Sequence, residues 1–555
     1  MISVMFSQLK EIDAMNATLP RAADVLARRF YDAGCRHAFG MPGGEVLTIV
    51  DALEAAGITF HLSKHENAAG FMAEGAYHRT GAPGILVATV GPGLANGLNV
   101  VANAQQDRVP LIVISGCVDA DEALTYTHQV FDHRAVLGPI TKATFTLTPD
   151  GADMIADKAV LMAVSARPGP VHIDVPISVA DVPVQRSLLS RHRPVARVAP
   201  AEGKDLARAR AWLGEASRPV MIVGLDALND GAEDQIRSVA EAFGVPVITT
   251  YKAKGILPED HPIALGGAGL SPLADTFLVE FVKEADLILL VGYDPIEMRI
   301  GWRDVWDPSK QRVVEFAAAR NDHYMHHATM AFICDAGEGL RAISRGVEPC
   351  RTWAGDRAAG LKRALGDAFA SHGKWGPSAV VEGVRSVFPK DTIATVDSGA
   401  HRILLSQLWE VYQSRGLLQS TGLCTMGCAL PLAMGAKIAD PSRPVVAFSG
   451  DAGLLMVIGE LSTLAELRIP LTVIVFVDAS LSLIEMKQRG RQMGNRGVDF
   501  GQHDFAAIAR AFGGVGVTVS DRPSLEQACR EAVARTDGFT LIAATIDRRA
   551  YDGRI

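Results

Sequence analysis

Long apolar runs are missing from this sequence. Stretches such as 109–118 stop well short of the ~20 residues a membrane helix needs, so no membrane partner is expected. Cysteine is sparse, with 7 among 555 residues, an odd number scattered along the chain. Only Cys424 and Cys428 lie close together, and no second pair or nearby histidine completes a zinc spacing. These features exclude a disulfide framework and favour reduced core thiols. No block of like charge occurs: 54 Lys and Arg against 62 Asp and Glu leave a net charge of −8. There is thus no basic footprint for nucleic acid. Low-complexity segments and short-period repeats are also lacking. The first twenty residues carry acids and no apolar core, which argues against a secretory signal and for the cytoplasm.

What is present is ordinary globular composition, 48% hydrophobic and 21% charged, over a length that suggests three to four domains. Short Val- and Ile-rich runs alternate with helical-length stretches. They fall at 84–89, 110–115 and 171–175, then at 219–223, 245–249, 287–291 and 313–316. The last third repeats the pattern at 392–396, 445–448, 471–477 and 539–544. Runs that end in Gly, Asp or Pro in this way read as buried parallel strands joined by crossover helices. Two stretches break the rhythm. Segment 184–202 contains Arg186, Arg191, Arg193 and Arg197 with several prolines, and 346–377 is mixed with a short helical piece at its centre. The expectation is α/β: three doubly wound parallel-sheet domains, at 17–185, 203–345 and 376–550, with ligands at the carboxyl ends of strands.

The most informative segment is Gly450-Asp451-Ala452-Gly453, directly after the run 445–448. The next run ends at Val477-Asp478. Consecutive strands of a βαβ unit are usually neighbours, so Asp451 and Asp478 are expected side by side. Two carboxylates converging there suit Mg²⁺, with room left for phosphate oxygens and water. Glycines let the backbone approach a phosphate closely. An aspartate after a strand is also an ordinary helix N-cap, so the turn alone decides little.

The spacing of the two acids adds weight. Gly450-Asp451, the interior Glu460-Leu461, Pro470 and Asp478 together resemble the cofactor motif of thiamine diphosphate-dependent enzymes of the acetolactate synthase-like superfamily. Other segments resemble that family in its order along the chain. They are Lys64-His65-Glu66-Asn67-Ala68-Ala69, Thr89-Val90-Gly91-Pro92-Gly93 with Asn96, and Gln129-Val130-Phe131-Asp132 followed by Pro139-Ile140-Thr141-Lys142. Nearer the C-terminus come Asp397-Ser398-Gly399-Ala400-His401 and Gly422-Leu423-Cys424-Thr425-Met426-Gly427. Ala452 stands where the family has a second glycine, so the turn must avoid strongly positive φ there.

The resemblance implies thiamine diphosphate and Mg²⁺ as cofactors and pyrimidine-binding, central and diphosphate-binding domains. It implies Asp451, Asp478 and the Ser480 carbonyl as metal ligands. Glu66 would face the aminopyrimidine N1′ as the activating acid, and Gln129 would face the substrate. Met426 would bend the cofactor, and the Cys424 carbonyl would accept from its 4′-amino group. Gly399, His401, Gly450, Ala452 and Gly453 would line the diphosphate. The implied reaction is decarboxylation or carboligation of a 2-oxo acid, by a homodimer or homotetramer whose active sites lie at the subunit interface.

Departures from the family sharpen the reading. Lys487 stands where acetolactate synthases carry a specificity tryptophan, which suggests a different acceptor or a solvated helix face. His128, beside Gln129, either faces the pocket or packs, with packing favoured. Gly292-Tyr293-Asp294-Pro295 replaces an Arg-Phe-Asp-Asp-Arg run of an FAD-binding domain, which counts against FAD. His326-His327 is not placed like a decarboxylase His-His pair. Two rivals remain at this point: a 2-hydroxyacyl-CoA or acyloin lyase, kept open by Arg548, Arg549 and Arg554, and a non-catalytic regulatory homologue.

Overall fold

A computed structural model describes residues 19–184 and 195–555, apart from the single positions 297, 322, 350, 351 and 354. Most of the arginine-rich segment, including Arg186, Arg191 and Arg193, therefore lies outside the described residues. The chain divides into two compact units. The first comprises Met1–Ala73 and Gly81–Arg193; the second comprises Pro194–Ile555 together with Glu74–Thr80.

The first unit is built on a six-stranded, all-parallel sheet. Its strands are β1 (His37–Met41), β2 (Thr59–Leu62), β3 (Gly84–Ala88), β4 (Leu111–Cys117), β5 (Ala143–Thr146) and β6 (Val171–Pro176), in the order β2-β1-β3-β4-β6-β5. The central strands β3 and β6 are buried along their whole length, as strands covered on both faces must be.

The second unit holds two more such sheets. The middle sheet has β7 (Pro219–Val223), β8 (Val247–Thr250), β9 (Ala264–Ala268), β10 (Leu287–Val291), β11 (Arg312–Ala317) and β12 (Met330–Ile333). Its order is β12-β11-β10-β7-β8-β9. The last sheet has β13 (Ile393–Val396), β14 (Leu417–Gln419), β15 (Val445–Gly450), β16 (Thr472–Val477), β17 (Val515–Val519) and β18 (Thr540–Thr545), in the order β14-β13-β15-β16-β18-β17. Counted from its own first strand, the last sheet repeats the order of the first. The middle sheet has instead the 3-2-1-4-5-6 order of dinucleotide-binding folds. The three doubly wound domains expected from the alternating runs are thus present.

In that middle order a dinucleotide crevice would open between β7 and β10. Here the loops after the two strands close on each other. The Gly224 amide donates to the Val291 carbonyl at 3.0 Å, and the Asp226 amide to the Gly292 carbonyl at 3.0 Å. A Cβ on Gly292 would lie 2.0 Å from the Ala227 nitrogen. Tyr293, where the FAD-type run is absent, is fully buried, and its hydroxyl meets His326 Nδ1 at 3.0 Å. His326 Nε2 lies 2.7 Å from the Trp302 carbonyl, so this histidine serves the core of its domain.

The middle and last domains share one apolar core. Trp353 stacks on Phe281 at 4.2 Å, and its indole N–H donates to the Pro219 carbonyl at 2.6 Å. The Gln407 amide reaches the Tyr251 hydroxyl at 2.7 Å. This packing holds the last sheet, whose strand ends carry the candidate site. No helix among the described residues is long and apolar enough to cross a membrane.

Candidate active site

Strands β15 and β16 pair in parallel, with Gly450 opposite Phe476. Their carboxyl ends therefore set Asp451 and Asp478 side by side. Asp451 opens the helix Asp451–Met456, where an acid suits the positive end of the helix dipole. Its Oδ1 accepts from the Ala452 amide at 2.8 Å; its Oδ2 accepts from the Asp478 and Ala479 amides at 3.1 and 2.7 Å. Asp478 accepts from the Ser480 amide at 3.2 Å and from the Ser482 hydroxyl at 2.5 Å. Burial holds the Asp451 carboxyl above its ordinary range. Burial, together with the charge of Asp451, pushes Asp478 up to about 7. Two adjacent buried carboxylates that resist ionisation are the donor set a hard divalent cation would complete.

A cavity of about 230 Å³ opens over these strand ends. Gly399, His401, Cys424, Met426, Gly450, Asp451, Ala452, Gly453, Asp478 and Ser480 all line it. Ala452 sits in the first helical turn without positive φ, as its Cβ requires. Ser480 reaches the cavity wall while its hydroxyl donates to Asp499 at 2.7 Å. Phe476, Ser482 and Tyr551 complete part of the wall and were not singled out by sequence.

His401 lies in the first turn of the helix Ala400–Leu408. It is buried, stacks on Phe476 at 5.4 Å, and its Nε2 has no partner among the described residues. Burial pushes its pKa down to about 4, so the ring is neutral at physiological pH. A Cβ on Gly399 would come within 2.7 Å of this ring, and one on Gly450 within 3.0 Å. Two bare backbone turns and an unpartnered imidazole thus form one wall, and a diphosphate fits such a cradle.

Cys424 is exposed and adopts left-handed φ of 49°, a conformation that favours glycine. Its sulfur receives the Arg402 guanidinium at 3.1 Å. Met426 is half-buried on the same loop.

The residue that ties these pieces together is Asp397, whose role was not legible in its sequence motif. Its Oδ1 accepts from the Gly427 amide at 2.6 Å, the Cys428 amide at 3.3 Å and the Ser398 amide at 2.8 Å. Its Oδ2 accepts from the Ser449 hydroxyl at 3.0 Å. A Cβ on Gly453 would lie 1.7 Å from that Oδ2, so only glycine fits there. Burial outweighs these hydrogen bonds and lifts Asp397 to about 6.

In the first unit, Glu66 begins the helix Glu66–Thr80 and is 4% exposed. Its Oε2 accepts from the Asn96 amide group at 3.0 Å. Gly93 packs so closely that a Cβ there would lie 3.2 Å from Glu66 Oε1. Gln129 is exposed with φ of 59°. His128, favoured to pack, is exposed instead and makes an edge contact with Tyr126 at 6.2 Å. Lys487 is exposed on the helix Ser482–Gly490.

Three family models match in chain order. The N-terminal TPP binding domain of thiamine pyrophosphate enzymes matches residues 20–136, the central domain 206–343, and the C-terminal TPP binding domain 397–544. The acetolactate synthase large subunit of Parasynechococcus marenigrum is 32% identical over 93% of this chain and 86% of its own length. The chain belongs to the thiamine pyrophosphate enzymes. It is an acetolactate synthase-like member, with an activity on carbon–carbon bonds next to a carbonyl. The Escherichia coli acetolactate synthase isozyme 1 large subunit is 29% identical, covering 95% of this chain and 94% of that one. A probable 2-ketoarginine decarboxylase of Pseudomonas aeruginosa is also 29% identical, covering 94% and 93%.

The raised Asp478 carboxyl sets a pH dependence. Its folded-state pKa of about 7 exceeds the ordinary 3.8, so the folded protein binds this proton more tightly than the unfolded chain. The advantage is complete below pH 3.8 and fades as pH rises towards 7. Relative to Asp478→Asn, which does not titrate, the cofactor-free protein should lose up to about 4 kcal/mol across this window. Urea unfolding of both proteins in metal-free buffer at several pH values measures the difference. A difference that stays flat would show that the Asp478 carboxylate is not disfavoured by its surroundings.

Proposed function

We propose that this chain catalyses the thiamine diphosphate- and Mg²⁺-dependent decarboxylation of a 2-oxo acid, followed by protonation or by carboligation to a second carbonyl compound. The observation that carries this reading is the cavity over β15 and β16, where two buried carboxylates face a glycine-lined wall with an unpartnered histidine. Asp451, Asp478 and the Ser480 carbonyl would hold Mg²⁺. Gly399, His401, Gly450, Ala452 and Gly453 would receive the diphosphate. Met426 would support the bend of the cofactor, and the Cys424 carbonyl would accept its 4′-amino group. When bound, thiamine diphosphate supplies a carbon nucleophile for the ketone and an electron sink for the departing CO₂.

The chain's own work is positioning and proton control. Glu66 is buried and steadied by Asn96, and it would exchange a proton with the aminopyrimidine N1′. Gln129 would orient the 2-oxo acid. Relatives named for acetolactate synthesis and for 2-ketoarginine decarboxylation bracket the two outcomes. The acyl-CoA lyase rival loses support because two of the three tail arginines are already engaged: Arg548 with Asp499 at 3.2 Å and Arg554 with the Ala370 carbonyl at 2.9 Å. The proposed setting is the cytoplasm, and the proposed domain limits are 17–185, 203–345 and 376–550.

Turnover of a panel of 2-oxo acids, with and without added acceptor aldehydes and ketones, tests the reaction. Activity should vanish on chelation and dialysis and return only with thiamine diphosphate and Mg²⁺ together. No CO₂ release from any 2-oxo acid by the reconstituted protein would overturn the proposal.

Glu66→Gln keeps the size of the side chain but cannot move a proton. Cofactor affinity should change little. Exchange of the cofactor C2 proton with deuterated solvent should slow by roughly 10²–10⁴-fold, the scale of one positioned acid–base group. Quenched-flow NMR reads this directly, and unchanged exchange would assign the activation to another group.

A homodimer, or a homotetramer built from dimers, with Glu66 of one copy serving Asp451 of another is part of the proposal. Inactive Glu66→Gln and Asp451→Ala variants should then regain activity when mixed under conditions that exchange subunits. Verified exchange without recovery would place both residues in one chain's site.

A further inference from the structure

A buried polar chain in the first unit is not used by the chemistry described so far. On β6, His172 and Asp174 point to the same face, two residues apart. On the neighbouring β4, Ser115 lies opposite Asp174 in register. Ser115 Oγ is 2.7 Å from His172 Nε2 and 2.7 Å from Asp174 Oδ1. The same Asp174 oxygen is 2.8 Å from His133 Nδ1. On the far side of its ring, His133 Nε2 is 3.2 Å from the Gly91 amide nitrogen. All four residues are at most 6% exposed.

The protons of this chain can be assigned from its ends. The Gly91 N–H can only donate, so His133 Nε2 accepts and the ring proton sits on Nδ1, facing Asp174. Asp174 then receives His133 on one side and the Ser115 hydroxyl on the other. Ser115, having donated, accepts from His172 Nε2. The His133 ring, accepting at Nε2, is thereby neutral, and it faces the Asp174 carboxylate. Burial raises the Asp174 carboxyl, but the hydrogen bonds it accepts outweigh this and hold it below the ordinary range. His133, His172 and Asp174 also have ligand-type atoms within 4.8 Å of one another. A cation there would have to displace the Nδ1 proton that the Gly91 contact enforces.

The chain ends on a loop that touches two proposed active-site residues. Gly91 has φ of 59°, and a Cβ on it would lie 2.1 Å from the Gln129 carbonyl oxygen. Two residues on, Gly93 packs against Glu66 Oε1. Gln129 itself holds left-handed φ, a strained state for a residue with a side chain, which persists only where its surroundings impose it. His133 follows it by four residues and begins the helix His133–Leu137, with Asp132 as its cap. The Gly91–His133 bond therefore fastens the Gln129 segment to the Gly91–Gly93 loop at the point of closest backbone approach.

We propose that His133 is a positioning residue: its neutral ring, held by Asp174 and accepting from Gly91, keeps the Gly91–Gly93 loop against Glu66 and keeps Gln129 in the single conformation that receives substrate. The second half of this statement rests on the proposed role of Gln129; the first does not. Two variants separate the ring's two bonds. His133→Asn keeps a donor at the Nδ1 position, so Asp174 stays satisfied, but leaves the Gly91 amide without an acceptor. His133→Gln offers a neutral donor and acceptor on one planar group and should restore both.

Amide hydrogen exchange of Gly91 in the cofactor-free protein, read by mass spectrometry with residue-level fragmentation, tests the anchor. Exchange should quicken by about tenfold or more in His133→Asn, as expected for losing one buried hydrogen bond, and return towards wild type in His133→Gln. With the reconstituted enzyme, KM for the 2-oxo acid should rise in His133→Asn and recover in His133→Gln, while thiamine diphosphate affinity stays constant. Wild-type exchange at Gly91 in His133→Asn, or a Gln variant no better than Asn, overturns the inference. Quickened exchange with KM unchanged in both His133→Asn and Gln129→Ala would leave the anchor standing but overturn its link to substrate, by removing Gln129 from the substrate site.

Discussion

The last domain's cavity depends on one buried carboxylate. Asp397 stands at the end of β13 and draws hydrogen bonds from residues 30 and 52 positions away, Gly427 and Ser449. It fastens the loop that carries Met426, the turn that leads into Asp451 and the start of the helix that carries His401. Without it, the Gly427 and Cys428 amides would be buried and unpaired, each at a cost of roughly 1–3 kcal/mol. The constraint acts in both directions, since the approach of this carboxylate is what excludes any side chain at position 453.

Around that tie, parallel-sheet geometry does the placing. Parallel strands direct all their carboxyl ends to one edge, so loops from β13, β15 and β16 meet without any special contrivance. The first and last domains use the same strand order, and in each the proposed working residues stand on loops and helix starts at that edge. The middle domain has the order that would open a dinucleotide crevice, yet its β7 and β10 loops are sewn together by backbone hydrogen bonds. Its large side chains, Tyr293 and Trp302 among them, go into the core it shares with the last domain.

Two histidines show how environment, not residue type, decides a role. His326 is neutralised by burial, with a pKa pushed down to about 4, and both ring nitrogens are engaged by Tyr293 and the Trp302 carbonyl. His401 is depressed to the same value by the same burial, but its Nε2 has no partner among the described residues and its ring lines the cavity. The first is spent on stability. The second is left available for a ligand.

The sequence by itself determined the α/β class, the central strands and the pairing of Asp451 with Asp478, because each is written in local pattern. Strands Gly84–Ala88 and Leu287–Val291 are apolar throughout since they are covered on both faces. The edge strands were silent for the converse reason: β2, β5, β12 and β17 are only partly buried and carry mixed residues, and β14 has just three. Inner strand β1, His37–Met41, escaped notice because it has no β-branched residue and includes Gly40, against which the β3 backbone packs. Tertiary structure alone decided that Asp397 would tie the Gly427 loop to Ser449 on β15, that His401 would be buried with an Nε2 that has no partner among the described residues, that Cys424 would take left-handed φ, and that His133 would reach Gly91 across 42 residues. Such contacts join segments distant in the chain, and they follow from how sheets and loops pack, which no local spacing records.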